Sequence, residues 1–130
     1  MSRPLKKRLT EKKIWNKLNL LQKELPGAHF TKIESSTING IPDVHCCYQS
    51  CSFWLELKAN DSKDYGISRW QMNWHSKHNE LGGNAFILLK PRKQKGLKLL
   101  RVEGRSVDLV AEGEDNYLTL RLLISRCVSR

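Results

Sequence analysis

The sequence predicts an α/β or α+β domain built on one mixed β-sheet flanked by helices, in the order α-β-β-β-α-β-β. Three observations carry this. Apolar residues near the N-terminus recur with the period of a helix. Two central segments alternate with the period of a strand around a tight turn. A second helical segment, with its own capping signal, separates them from two further apolar runs. The 130 residues fit one compact domain. We expect a core over about residues 8–103, a basic segment at 1–9 and a C-terminal extension at 104–130.

Thr10 to Leu25 reads as the first helix. Ile14, Leu18, Leu21 and Leu25 recur at spacings of four, three and four, with Trp15 beside them. Thr10 is its expected N-cap, Leu9 with Ile14 its hydrophobic staple, and Pro26-Gly27 its stop. Ala28 to Ser35 alternates weakly as a first strand, and Ser36 to Gly40 reads as loop. Pro42–Tyr48 and Ser52–Ala59 read as strands joined near Gln49-Ser50. After a polar loop, Ser68 to Leu81 reads as the second helix. Ser68 with Gln71 forms a capping-box pattern there, and Ile67 with Met72 a staple. Gly82-Gly83 ends it. Asn84–Lys90 and Leu97–Val102 follow as strands around a basic turn, Pro91–Gly96. Beyond them, Ser106–Ala111 fits one helical turn, and Tyr117–Ile124 fits either strand or helix.

Lys and Arg outnumber Asp and Glu by 23 to 13, a net charge of +10, which favours a polyanionic partner. The basic residues cluster. Arg3, Lys6, Lys7, Arg8, Lys12, Lys13, Lys17 and Lys23 stand against the single acid Glu11 in the first 23 residues. Lys90, Arg92, Lys93, Lys95, Lys98, Arg101 and Arg105 form the second group. No apolar run approaches the roughly 20 residues that span a bilayer, and the basic N-terminus lacks the apolar stretch of a secretory signal. Cys46, Cys47, Cys51 and Cys127 include no CxxC pair, which argues against zinc. They read as reduced, packing cysteines of a cytoplasmic protein.

Charges inside strand sequence need compensation, and the central hairpin holds three: Asp43, Glu56 and Lys58. With Gln49-Ser50 as the turn, opposed residues have numbers that sum to 99. Val44 then faces Leu55, Cys46 faces Phe53, and Asp43 faces Glu56 with Cβ atoms about 5 Å apart. Lys58 shares their face. The opposite face carries Val44, Cys46, Tyr48, Cys51, Phe53, Leu55 and Leu57 and is the expected core. Opposed carboxylates repel unless a divalent cation lies between them, and Mg²⁺ or Mn²⁺ prefers such oxygen ligands. Lys58 beside the metal would orient or deprotonate a water for phosphodiester hydrolysis. A plain salt bridge from Lys58 to one carboxylate is the alternative.

Pro42-Asp43, then Glu56-Leu57-Lys58 on the next strand, then a helix opening with Gln71, resembles the PD-(D/E)XK nuclease superfamily. The short layout is most similar to the virus-type replication-repair nuclease domain (VRR-NUC) and to small archaeal-type Holliday junction resolvases. The resemblance implies a restriction-endonuclease-like fold and an Mg²⁺-dependent endodeoxyribonuclease, with Mn²⁺ able to substitute. It implies that Asp43, Glu56 and the Leu57 backbone carbonyl bind the metal, that Lys58 organises the attacking water and that Gln71 supports the site. It also implies an acid from the first helix, for which Glu11 is the best match and Glu34 a rival. Ser36 would contact phosphate or cap a turn.

The implied substrate is branched DNA, above all the four-way junction, cut by a homodimer acting in recombination or repair. Such a stand-alone nuclease looks viral or phage-like, which would place it in the host cytoplasm. Arg3, Lys6, Lys7, Arg8, Lys12, Lys13, Arg69, Arg92, Lys93 and Lys95 are the candidate DNA contacts. Rival readings are a nuclease for flaps, nicks or specific duplex sites, and a non-catalytic basic DNA-binding module. Among the other polar residues, His45 is expected to pack, and His75 and His78 to lie on the surface. Trp54, Trp70 and Trp74 are expected in the core, although an exposed tryptophan would be able to stack on an unpaired base.

Overall fold

The computed structural model of the chain describes residues 5–34 and 39–128, with side chains from residue 10 onward. Helix α1 spans Leu5–Glu24. It starts five residues before the expected Thr10, because the Lys- and Leu-rich stretch ahead contains no helix breaker. Thr10 is therefore a mid-helix residue and not the N-cap. The stripe Ile14, Leu18, Leu21 and Leu25 is buried as the spacing requires, and Gly27 turns the chain away with φ +74°.

Strand β1 (His29–Lys32) is shorter than expected, and only Phe30 in it is buried. It pairs antiparallel with β2 (Val44–Tyr48), which pairs antiparallel with β3 (Cys51–Lys58). Gln49 and Ser50 both take positive φ, 51° and 62°, the signature of a type I′ hairpin turn. The observed register is the expected one: Val44 opposite Leu55 and Cys46 opposite Phe53. A one-residue slip would move Phe53 and Leu55 out of the core. Helix α2 (Arg69–Glu80) then crosses to β4 (Ala85–Leu89), which runs parallel to β3. The capping box is present: Gln71 N–H donates to Ser68 Oγ (3.2 Å) and Ser68 N–H donates to Gln71 Oε1 (2.9 Å). Strand β5 (Leu97–Glu103) returns antiparallel to β4.

Residues beyond 103, expected as an extension, complete the sheet and its cover. Ser106–Gly113 is not a helical turn but strand β6, paired to β5 with a register shift at Leu99/Leu100. Tyr117–Val128 is helix α3. Among the described residues the six strands lie in chain order, β1 to β6, and only β3 and β4 are parallel.

The two faces of this mixed sheet differ. One is covered by α1 and α3. Their Leu18, Leu21, Leu120, Leu123 and Ile124 pack with Phe30, Val44, Cys46, Phe53, Leu55, Leu88 and Leu99 into the main core. The other is covered by α2 over a smaller cluster, Ile87, Leu89, Leu100 and Val102, closed by Tyr65, Ile67 and Met72. Asn79 clamps α2 there. Its side-chain amide donates to the carbonyls of Ala85 (3.2 Å) and Val102 (2.9 Å) and accepts from Ala85 N–H (2.8 Å). All four cysteines carry free thiols, and Cys46 and Cys127 are buried in the main core.

Candidate active site

The strand directions fix where the charges meet. β3 and β4 run parallel, β2 runs against them, and α2 runs back between them. The entry to β2, the exits of β3 and β4 and the start of α2 therefore share one end of the sheet. Asp43, immediately before β2, continues the ladder with its side chain: Leu57 N–H donates to Asp43 Oδ2 (2.8 Å). On the other side, Ile33 N–H donates to the Asp43 carbonyl (2.7 Å). The preceding loop is pressed against the first turn of α2. Gly40, at φ +86°, lies so close to the Trp70 carbonyl that a Cβ there would collide with it.

Glu56 is 2% exposed on the α2 face, and its Oε1 has no hydrogen-bond partner. Burial pushes its pKa well above the usual carboxylate range. The Asp43 carboxylate adds to this by charge and by a side-chain hydrogen bond; Lys58 opposes it and Glu11 reinforces it. Asp43 and Glu56 thus sit together at the register position that the hairpin dictates, where the charged form of Glu56 is disfavoured.

Lys58 is 7% exposed. Among the described residues the ion pairs are Lys17–Asp115, Lys90–Asp115 and Arg101–Glu103. None involves Lys58, so the plain salt bridge is not formed. Leu57 puts its side chain in the main core. Glu11 of α1 is 7% exposed and acts electrostatically on Glu56, whereas Glu34 is exposed just past β1. Of the two candidate acids, Glu11 is the one the fold brings to the site. Gln71 stands in the first turn of α2, where its Oε1 is engaged by the capping box.

The donor set suits a hard cation. An orphaned, buried carboxylate oxygen beside a second carboxylate is what a divalent ion would satisfy. Among the described residues no three His, Cys, Asp or Glu side chains stand together as a ready-made metal site. A cation between Asp43 and Glu56 would thus keep several water ligands, as Mg²⁺ does and structural zinc does not.

Sequence reasoning missed one group. His75 is not on the surface but 0% exposed, with neither ring nitrogen hydrogen-bonded. Desolvation lowers its pKa to about 4, with His78 and Lys58 pushing the same way. Gln71, His75 and Asn79 recur every four residues along the inner stripe of α2. This polar stripe looks like a solvent face by periodicity, yet it packs on the sheet. His78 is half-buried and stacks on Trp74, with ring centroids 4.5 Å apart. His45 packs on Trp54 as expected and hydrogen-bonds Ser52 Oγ (2.8 Å). Trp54 meets Trp74 of α2 edge to face at 5.5 Å. Trp70 does not join them: it is 47% exposed rather than core.

The basic groups converge at the same end. The Lys90 N–H donates to the Lys58 carbonyl (2.8 Å). Asp61 holds the β4–β5 turn by accepting from the backbone N–H groups of Arg92 (2.9 Å) and Lys93 (3.0 Å), leaving the side chains of Arg92, Lys93 and Lys95 exposed. Lys13 and Lys17 of α1 and Lys90 line one cleft of about 500 Å³, so the two sequence clusters adjoin in space. Lys12 and Arg69 are also exposed. Lys6, Lys7 and Arg8 fall on the first turns of α1, where their side chains, like Arg3 and Ser36 entirely, lie outside the described residues.

No family model and no curated protein matches the chain. Among solved structures, the chain is similar to a Holliday junction resolvase from the archaeal hyperthermophile Archaeoglobus fulgidus. The two are 12% identical, with a TM-score of 0.46, and the match covers 84% of this chain and 92% of the other. Among the described residues no helix is long and apolar enough to cross a membrane. What the arrangement offers chemically is a carboxylate pair, a buried lysine and a third carboxylate beside exposed cations.

Proposed function

We propose that the chain is a divalent-metal-dependent endonuclease of the PD-(D/E)XK kind that hydrolyses phosphodiester bonds in branched DNA, foremost the four-way junction. The observation that carries this reading is the Asp43–Glu56 pair. A buried carboxylate, Glu56, is held beside the half-buried carboxylate of Asp43, an arrangement that a cation between them would offset. The basic groups of α1 and the β4–β5 turn border the same end of the sheet and suit a phosphate backbone.

Asp43, Glu56 and the Leu57 carbonyl would hold the ion, with Glu11 adding negative charge. A bound divalent ion would supply Lewis-acid chemistry there, polarising a phosphate oxygen and acidifying a water. The Leu57 N–H fixes the Asp43 carboxylate, so one of its oxygens is committed to position and the other is left for binding. Lys58 supplies the positive charge that orients the attacking water and steadies negative charge on the phosphate oxygens. Gln71, in the first turn of α2, supports the site from the side of the crossover helix. In the reaction the water oxygen joins phosphorus and a P–O bond to the sugar breaks. Two copies related by a two-fold axis would cut both strands of a junction. Exposed Leu118 and Leu122, one turn apart on α3, offer apolar surface for such pairing.

The test is cleavage of a labelled four-way junction against linear duplex of the same sequence, with Mg²⁺, Mn²⁺ or EDTA. Paired, metal-dependent cuts confined to the junction and absent in Asp43→Ala are the expected result. Equal cutting of linear duplex would keep the nuclease and remove the junction preference, leaving flap, nick or duplex cleavage as the activity. Tight junction binding with no cutting under any metal would leave a DNA-binding module instead.

A further inference from the structure

Three of the four tryptophans have packing partners. Trp15 lies against the main core, and Trp54 and Trp74 pack on each other. Trp70 is the exception, half in water on the first turn of α2. The guanidinium of Arg69 lies over its ring, 4.4 Å from the centroid. Arg69 has no carboxylate partner among the described residues, and the first turn of α2 carries no acid. Beside it opens a cleft of about 550 Å³ lined by Lys63, Arg69 and Arg105. Asp64 is the acid in that lining, and its carboxylate already accepts from Ser62 Oγ (2.7 Å) and Gly66 N–H (3.0 Å). A half-exposed indole, a cation stacked on it and a positive cleft thus occur together. The Trp70 carbonyl packs on Gly40, so the loop that leads into Asp43 runs past this patch.

We propose that Arg69 and Trp70 form a stacking platform for an unpaired DNA base next to the bond that is cut. The proposal rests on the nuclease reading and deepens it: the substrate is a branched DNA that presents an unpaired nucleotide at the branch, in a flap or at a junction crossover where a base pair has opened. A base inside a duplex has both faces covered by its neighbours, whereas an unpaired base offers a free face to an indole. Positive charge from Arg69, Lys63 and Arg105 complements the phosphates that flank such a base. A protein partner would gain from the indole but would not need three cations around it.

The experiment is equilibrium binding in EDTA, so that no cleavage occurs. The probe is a branched DNA with a 2-aminopurine in an unpaired position at the branch, compared with fully paired linear duplex. The wild-type chain is measured beside Trp70→Ala, Trp70→Leu and Trp70→Phe. Stacking is worth about 1–3 kcal/mol per base, so wild type should prefer the unpaired probe by roughly 5- to 150-fold and quench its fluorescence. Trp70→Phe should keep most of the preference. Trp70→Leu, which keeps apolar packing without a π-face, should lose it together with the quench, with duplex affinity unchanged. Wild-type behaviour of Trp70→Leu would reduce Trp70 to a packing residue and overturn the proposal, as would a wild type with no preference for the unpaired probe. A wild type that lacks the preference but cuts DNA when Mg²⁺ is present would remove the platform only. Preference and quench without any cutting would remove the nuclease only.

Discussion

The two faces of the sheet divide the work of this molecule. The face under α1 and α3 is apolar at its buried strand positions, from Phe30 on β1 to Leu99 on β5, and the buried acid on that side is Glu11 of α1. The face under α2 buries Glu56, Lys58, His75 and Asn79 beside only a few aliphatic side chains. Of these four, only Asn79 is fully repaid in hydrogen bonds to the sheet. Hydrophobic burial scales with apolar area removed from water, so the first face supplies most of the stability. The second carries groups that cost stability and persist only if they serve something else. Alternation along β3 creates the contrast within one strand, since Leu55 and Glu56 are neighbours with opposite duties.

The largest expected effect comes from breaking that contrast at these two residues. Leu55→Ala removes a fully buried side chain from the main core and should cost about 2–5 kcal/mol of unfolding free energy. Cleavage by the fraction that remains folded should be nearly unchanged. Glu56→Gln should do the reverse. It removes a carboxylate whose charged form burial and Asp43 both disfavour, so stability without metal should hold or rise. Cleavage should fall on the order of 100- to 1000-fold, the loss typical of a preorganised electrostatic group. Denaturant unfolding and single-turnover cleavage on both variants check the pair. A Glu56→Gln protein that unfolds more easily and still cuts would erase the distinction between the faces.

A smaller effect follows from His75. Its pKa of about 4 lies below the ordinary 6.5, so the unfolded chain binds the proton more readily between those values. Stability from this group is complete above about pH 6.5 and is lost as pH falls through 4, by about 3 kcal/mol in all. Glu56 has the opposite sign: its raised pKa favours the folded state at low pH, and this contribution fades as pH rises. Comparing wild type with His75→Leu isolates the histidine. The variant should match or exceed wild type at pH 7.5, since two unpartnered ring nitrogens are gone, and its advantage should widen toward pH 4.5. A constant gap across that range would mean that His75 is not kept neutral by burial.

How much of this was legible in the sequence also divides by face. The main core followed from alternation and helical spacing, because a fully apolar face leaves one register for β2 and β3. The Asp43–Glu56 encounter came with that register at no further assumption. The α2 face was harder, because a buried polar stripe such as Gln71, His75 and Asn79 has the pattern of a solvated one. The spacing of four is the signal that was available, and only tertiary packing decides its meaning. Trp70 failed in the other direction, an aromatic that composition assigns to the interior. β6 was obscured because it lies at the sheet edge with no buried residue and a break in register, which blurs a period of two. α3 was ambiguous because exposed Leu118 and Leu122 fill the gaps between Leu120, Leu123 and Ile124, so the run mimics a buried strand.

The smallest effect concerns the cleft where the two basic clusters meet. Asp115 is its one acid, 3.4 Å from both Lys17 Nζ and Lys90 Nζ. Such partly exposed ion pairs are worth at most about 1 kcal/mol, so Asp115→Asn should leave unfolding nearly unchanged. Its consequence for a polyanion is larger than for the fold. The substitution removes one negative charge and releases two lysines for phosphate. If DNA tracks this cleft, affinity should rise in low salt. The slope of log affinity against log salt should steepen by up to about 1 to 2, since each added phosphate contact releases about one counterion. Lys98→Ala, on the β5 side of the turn, should shift the slope the other way. An Asp115→Asn chain with the wild-type slope would place the DNA path elsewhere, on the α2 side of the sheet with Arg69 and Arg105, and would join the polar face to binding as well as to cutting.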